Sequence, residues 1–294
     1  MSATLTALAV IGALCATQGG AGTPYDAGVN CRTIQVDGFQ RQYLVYVPRR
    51  HAARAPVVFM FHGSSGNGER FLRISGWREQ ADRTGLIAVF PTGLRYRMLD
   101  TGRRITKWNG YNLAANVDLN DKPPGYPAQA PWPANDVGFV DAMLGDLGPM
   151  ADARRIYASG FSNGAEFTAR LAIERSDVLA AAAYSAGGIY APRPRPARKI
   201  PLWMTVGSRD DRIGALPMDP FGLLQVPLVG TMVDATLDTF GTPRRPFAVI
   251  SRRRSTELRW PGFRFTVLAG LDHHYPDGAA REFWRFFRAR SLTG

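Results

Sequence analysis

The stretch YASGFSNGAEF, Tyr157 to Phe167, sets a serine between two glycines where an apolar run gives way to helix-forming residues. Gly160 and Gly164 lack side chains, so the backbone can turn steeply from strand to helix while the Ser162 hydroxyl stays exposed. A serine placed in this way can attack an ester carbonyl, provided a histidine takes its proton and an aspartate behind that histidine fixes its tautomer. The oxyanion that develops needs N–H donors already aimed at it. One is expected from the backbone of Asn163, at the positive end of the following helix. The other is expected from Ser64 or its neighbour in the glycine-rich HGSSGNG. Glycines around a serine also fit a structural turn, so the surrounding elements must decide.

Those elements alternate between short apolar runs and longer amphipathic ones. Tyr43 to Val47, Val57 to Phe61, Ile87 to Phe90, Ile156 to Ser159, Ala180 to Ser185, Leu202 to Val206 and Phe263 to Leu268 read as strands. Helical patterns lie at Gly76 to Arg83, Asp136 to Leu147, Ala165 to Arg175 and Val233 to Phe240, and AAREFWRFFRAR near the end carries a core-facing stripe of Phe283, Phe286 and Phe287. The alternation predicts a mostly parallel sheet with helices on both faces. Two long irregular segments, Thr92 to Asn135 and Asp211 to Gly230, are expected to be functional walls or lids.

In such a sheet, ligands bind beyond the carboxyl ends of the strands. The chemistry-bearing residues follow the strands directly: HGSSGNG after Phe61, the serine turn after Ser159, GSRDD after Val206 and AGLDHHYPDG after Leu268. The order serine, acid, histidine is that of the α/β-hydrolase fold. Two acids, Asp210 and Asp211, and two histidines, His273 and His274, compete for the two supporting places.

HGSSGNG, the Trp108–Asn109 pair, NDVGFVDAMLGDL, FSNGAEF and HHYP together resemble the secreted polyhydroxybutyrate depolymerase and feruloyl esterase family of α/β-hydrolases, over nearly the whole chain. The resemblance implies cofactor-free hydrolysis of carboxylic esters, on hydroxyalkanoate polyesters or on feruloyl and acetyl esters of polysaccharide. It also implies Asp210 as the acid and His273 as the histidine. The chain departs from the family at Ser64, where a cysteine is common, at Glu166, where an apolar residue is usual, and in the length of Thr92 to Asn135.

Composition limits the alternatives. The 294 residues, 45% of them hydrophobic, suffice for one large α/β domain, expected over residues 30–292. The net charge of +12 comes almost wholly from scattered arginine, with lysine only at Lys107, Lys122 and Lys199. No nucleic-acid-binding motif accompanies it, so no nucleic-acid partner is expected. Met1 to Tyr25 carries no charged side chain, and the apolar run Leu5 to Ala16 is too short to span a bilayer. Residues 1–22 therefore read as a signal peptide of a secreted or periplasmic protein with no stable membrane insertion. Cleavage would leave Cys31 as the one cysteine, without an intrachain disulfide, and the inventory offers neither a zinc cluster nor any other metal site.

The remaining residues carry two readings each. His62 is expected to hold the oxyanion loop by hydrogen bonding rather than to act as the base. Asn163 and Glu166 fit a helix capping box. The carboxylates of Asp136 to Leu147 read as a solvated helix face. Trp108 either stacks on an aryl or sugar group of the substrate or packs the long loop down. The expected partner is a small or oligomeric ester. An acyltransferase with the same triad and a non-catalytic binding protein on a hydrolase scaffold are the alternatives.

Overall fold

Every residue of Ala55–Phe61 is buried, as a strand covered on both faces requires. Along it Val57, Phe59 and Phe61 feed one core, and Val58 and Met60 feed the other. A strand's period of two divides its side chains between two layers in this way.

The structure, a computed structural model, describes residues 17–292. Its strands run in chain order as β1 (Thr17–Gly20), β2 (Gly28–Val36), β3 (Phe39–Val47), β4 (Ala55–Phe61), β5 (Ile87–Pro91), β6 (Leu94–Arg97), β7 (Arg104–Lys107), β8 (Ala151–Phe161), β9 (Ala181–Ser185), β10 (Leu202–Gly207), β11 (Ala248–Arg252), β12 (Ser255–Trp260) and β13 (Phe263–Leu268). Among the described residues, eleven strands form one sheet in the order β1-β2-β3-β5-β4-β8-β9-β10-β13-β12-β11, and β6 pairs with β7 in a separate ribbon. The run from β5 to β13 is parallel. Antiparallel pairs flank it on both sides. This is the mostly parallel sheet with helices on both faces that the alternating pattern predicts, in the α/β-hydrolase arrangement that the order of serine, acid and histidine implies.

The helices are α1 (Gly68–Ile74), α2 (Trp77–Thr84), α3 (Asp136–Leu147), α4 (Asn163–Glu174), α5 (Pro220–Leu223), α6 (Pro227–Phe240) and α7 (Ala279–Phe287). Buried residues of α3, α4 and α6 join one core; those of α1, α2 and α7 join the other. In α7 the expected stripe is buried, and Phe287 stacks between Trp77, at 6.0 Å, and Tyr157, at 4.8 Å.

The strands that escaped the sequence pattern have physical reasons to do so. In β2, Asn30 and Arg32 are buried polar residues that break the apolar alternation. Arg32 donates through one nitrogen to the carbonyls of Thr23 and Pro24 and lies over the Tyr25 ring, contacts that hold it in place. The segment Thr92 to Asn135 is not a bare loop. The β6–β7 ribbon folds over a small core of Tyr96, Met98, Leu113 and Val117, with Trp132 stacked 4.7 Å from Tyr96. It is a packed wall.

The helix-face reading of α3 needs correction. Asp146 accepts from the Tyr43 hydroxyl at 2.5 Å and from the Tyr25 hydroxyl, tying the N-terminal strands to the helix, and Asp141 pairs with Arg175. Of the expected signal segment, residues 1–16 lie outside the described residues, while Thr17–Gly20 pairs with β2 at the sheet edge. Cys31 is disulfide-bonded, so the chain described here is not the disulfide-free form expected after cleavage. Among the described residues no helix is long and apolar enough to cross a membrane.

Because Phe287 is fully buried between two aromatic rings, Phe287→Ala is expected to lower the unfolding free energy by about 3–5 kcal/mol. Chemical denaturation of the two proteins measures the difference.

Candidate active site

Strand register brings the chemistry to one edge. Phe61 of β4 pairs with Gly160 of β8, Phe161 with Ser185 of β9, Ser185 with Thr205 of β10, and Gly207 with Leu268 of β13. The strands therefore end together, and the residues after them share one side of the sheet.

Ser162 forms the corner between β8 and α4, with φ 53° and ψ −122°. A non-glycine residue in that left-handed region is strained and persists only where its surroundings hold it. The Ser162 N–H donates to the Ser185 carbonyl at 2.9 Å, and the Ser162 carbonyl accepts from Ala165 and Glu166. A methyl group at Gly160 would run into the Gly164 carbonyl, and one at Gly164 into the carbonyls of Phe61 and His62. The two flanking glycines are thus required by close backbone approach.

Asp210 and His273 come from the loops after β10 and β13, which are laced together. Ser208 N–H donates to Leu268, Arg209 N–H to Leu271, and the Gly270 N–H to the Ser208 hydroxyl. Gly207 permits this approach, since a Cβ there would collide with the Leu271 carbonyl. His273 Nδ1 lies 2.9 Å from both carboxylate oxygens of the fully buried Asp210, and its Nε2 lies 3.0 Å from Ser162 Oγ. A carboxylate only accepts, so Nδ1 carries the proton and Nε2 is free to accept the serine's. Their neighbours face away: Asp211 is 80% exposed beside Arg212, and His274 is 74% exposed beside Asp272. Phe161 packs 5.0 Å from the His273 ring and helps hold it.

The loop from His62 passes against Ser162, where a Cβ on Gly63 would meet Phe161 and the Ser162 side chain. The Ser64 N–H has no protein acceptor among the described residues, while Ser65 N–H is tied to the Thr106 carbonyl. Asn163 stands at the first turn of α4, where backbone N–H groups lack intrahelical partners. His62 is fully buried; its Nδ1 bonds the Gly63 carbonyl at 2.8 Å and its Nε2 accepts from Gly93 N–H at 3.0 Å. It anchors the loop, as expected. Burial, helped by the nearby Arg41 charge, pushes its pKa down to about 4.

Three expectations change. Trp108 is fully buried: its ring stacks on Phe167 and meets Phe61 edge-on, and its Nε1 donates to the His62 carbonyl at 3.0 Å. It packs the wall down, the second of the two readings open for it in the sequence. Asn163 makes no capping box, because the N-cap is Ser162. Its side chain instead brackets the Trp108 backbone, accepting from the N–H at 2.7 Å and donating to the carbonyl at 3.3 Å, and donates to Glu166, which also accepts from the Tyr190 hydroxyl. Asp136, read as a solvated carboxylate, is wholly buried and paired with Arg41 at 2.7 Å; its second oxygen accepts from Asn109 N–H at 2.6 Å. An ion pair joining residues so far apart in the chain leaves no local pattern, and composition could not reveal it. Among the described residues no group of three or more His, Cys, Asp or Glu is placed to hold a metal ion.

Trp108→Ala is expected to cost about 3–5 kcal/mol of stability and to depress activity on all esters together, rather than to reorder them. Denaturation curves beside a substrate panel check it. His62 gives a pH signature. The unfolded chain takes up this proton near pH 6.5 and the folded one only near 4, so the unfolded state holds more protons in between. Stability should therefore fall by about 3 kcal/mol from this group as pH drops from 6.5 to 4. In His62→Gln the acid-side slope should flatten when unfolding is followed across that window.

Comparison with known proteins places the chain among esterases in sequence. Residues 41–220 match the family described as Esterase PHB depolymerase. NocK from Nocardia uniformis subsp. tsuyamanensis is 29% identical over 212 residues, 69% of this chain and 53% of NocK, so the chain spans about half that relative's length. The bifunctional acetylxylan esterase/xylanase XynS20E of Neocallimastix patriciarum is 23% identical over 184 residues, 63% of this chain and 23% of the relative. Among solved structures, the poly(3-hydroxybutyrate) depolymerase LpqC from Bordetella parapertussis superposes with a TM-score of 0.56 at 19% identity, covering 92% of this chain and 93% of LpqC. With more than half of its length matched, the chain belongs to the Esterase PHB depolymerase family.

Proposed function

We propose that the protein is a secreted or periplasmic serine carboxylic ester hydrolase, with Ser162 as nucleophile, His273 as general base and acid, and Asp210 as its orienting carboxylate. The observation that carries this reading is the continuous chain from Ser162 Oγ through His273 to the buried Asp210, at 3.0 and 2.9 Å. Ser162 Oγ attacks the ester carbonyl carbon as its proton passes to His273 Nε2. The amides of Asn163 and Ser64 receive the oxyanion. Collapse of the tetrahedral intermediate expels the alcohol, protonated by the imidazolium, and leaves an acyl group on Ser162. Water, deprotonated by the same imidazole, then releases the acid.

For the substrate class, the reading takes hydroxyalkanoate esters of the polyhydroxybutyrate type or feruloyl and acetyl esters of polysaccharide. Family membership and the names of the relatives, one acting on acetylated xylan and one a poly(3-hydroxybutyrate) depolymerase, support these choices. Hydrolysis of hydroxybutyrate oligomers, methyl ferulate and acetylated xylan, compared on one enzyme preparation, distinguishes them.

Substitution tests the roles. Ser162→Ala and His273→Ala are expected to lower kcat by about 10^3- to 10^6-fold, and Asp210→Asn by about 10^4-fold. His274→Ala and Asp211→Asn, both on exposed side chains, should remain close to wild type. Fluorophosphonate labelling should mark Ser162 in the wild type and be lost in Ser162→Ala. Full activity of Ser162→Ala would sink the reading.

A further inference from the structure

At the far end of the sheet from Ser162, two arginines stand where cross-strand neighbours should not both be cations. Arg259 of β12 pairs directly with Arg264 of β13. Directly opposed side chains of this kind have Cβ atoms about 4.5–5.5 Å apart, and like charges there are destabilising. Glu257 bonds Arg259 and accepts from the Thr266 hydroxyl, and it reaches Arg264 only through its charge. Arg264 makes no ion pair or side-chain hydrogen bond among the described residues; its guanidinium lies 5.2 Å over the Phe286 ring and 5.6 Å over Trp203. Arg290 lies 3.8 Å over the Phe286 ring and donates to the Phe286 carbonyl, and it has no acidic partner among the described residues. Burial lowers the pKa of Arg264, against the pull of the Glu257 charge, and burial with the nearby Arg264 charge lowers that of Arg290.

All three arginines line one groove of about 370 Å3, and no carboxylate lines it. Its other walls include Pro201, Pro261, Phe286 and the 69% exposed Phe247. Leu202 and Phe263, which also line it, open β10 and β13, whereas Asp210 and His273 follow the ends of those strands. At about 3.3 Å per residue, six residues of strand set the groove roughly 20 Å from the proposed catalytic serine.

We propose that this groove is an exosite for a carboxylate-bearing sugar chain of the uronate type. The guanidiniums supply planar donors for the carboxylate, and the proline and phenylalanine walls supply a surface for the apolar face of a sugar ring. A bare inorganic anion would leave those walls unused. The site is independent of the ester chemistry: a bound chain would be held at one end of the sheet while its esters are presented elsewhere.

Calorimetric titration with oligogalacturonate at low ionic strength tests this, with inorganic sulfate and an uncharged xylo-oligosaccharide as parallel arms. Oligogalacturonate is expected to bind, and to bind more weakly as salt is raised. Arg264→Gln and Arg290→Gln should each weaken it by about ten-fold or more. Arg253→Gln, in the β11–β12 turn, removes the same unit of charge and should change binding by less than about two-fold. Because Arg264 opposes Arg259, Arg264→Gln should melt no lower than wild type. Absence of oligogalacturonate binding, equal weakening by Arg253→Gln, or equally tight binding of sulfate or of the uncharged chain would overturn the proposal. So would a lowered melting temperature of Arg264→Gln with binding retained, which would place the arginine in packing alone.

Discussion

One backbone conformation governs the carboxyl end of the sheet: Ser162 held at a positive φ between β8 and α4. Such a conformation costs about 1–3 kcal/mol for a residue with a side chain. It is held by the Ser185 carbonyl on one side and the first amides of α4 on the other. It also sets the demand for glycine, since Gly160, Gly164 and Gly187 each lie where a Cβ would strike neighbouring backbone. The corner points the hydroxyl out of the sheet while its own amide stays satisfied, and His273 is brought to meet it there.

Two further constraints keep the surroundings rigid. Asp136 and Arg41 are both buried, and each would be an uncompensated charge without the other, a loss worth about 3–5 kcal/mol when one partner is removed. Through Asn109 N–H the pair holds the wall just after its ribbon, and through Trp108 the wall reaches both His62 and Asn163. Trp108 therefore joins the loop that carries Ser64, through its indole N–H, to the helix that carries Asn163, through its backbone and the stack of its ring on Phe167. The two amides proposed to receive the oxyanion are positioned from one residue, whose ring is wholly buried.

Charge is distributed unevenly around this frame. Most arginines with nearby acids are paired on the surface, where such pairs contribute little, as with Arg170 and Glu174 or Arg285 and Glu282. The groove at the opposite end is different because Arg259, Arg264 and Arg290 converge with Glu257 as the one acid engaged there. Three cations thus share one acid among the described residues, an excess of positive charge that suits an anionic ligand.

The sequence by itself determined the alternating strands and helices, the serine corner and the order of serine, acid and histidine, because each rests on local rules of periodicity or turn geometry. The buried run of β4, the Phe stripe of α7 and the glycines beside Ser162 are of this kind. The choice of Asp210 over Asp211 and of His273 over His274 rested in the sequence on family likeness; in three dimensions it follows from which side chain the laced loops turn inward. Only the tertiary structure decided that Asp136 is a buried anchor, that Trp108 packs instead of facing substrate, and that Arg259 opposes Arg264. Each of those depends on residues that meet across the sheet or across long stretches of chain, and no local pattern encodes which partner a side chain will find.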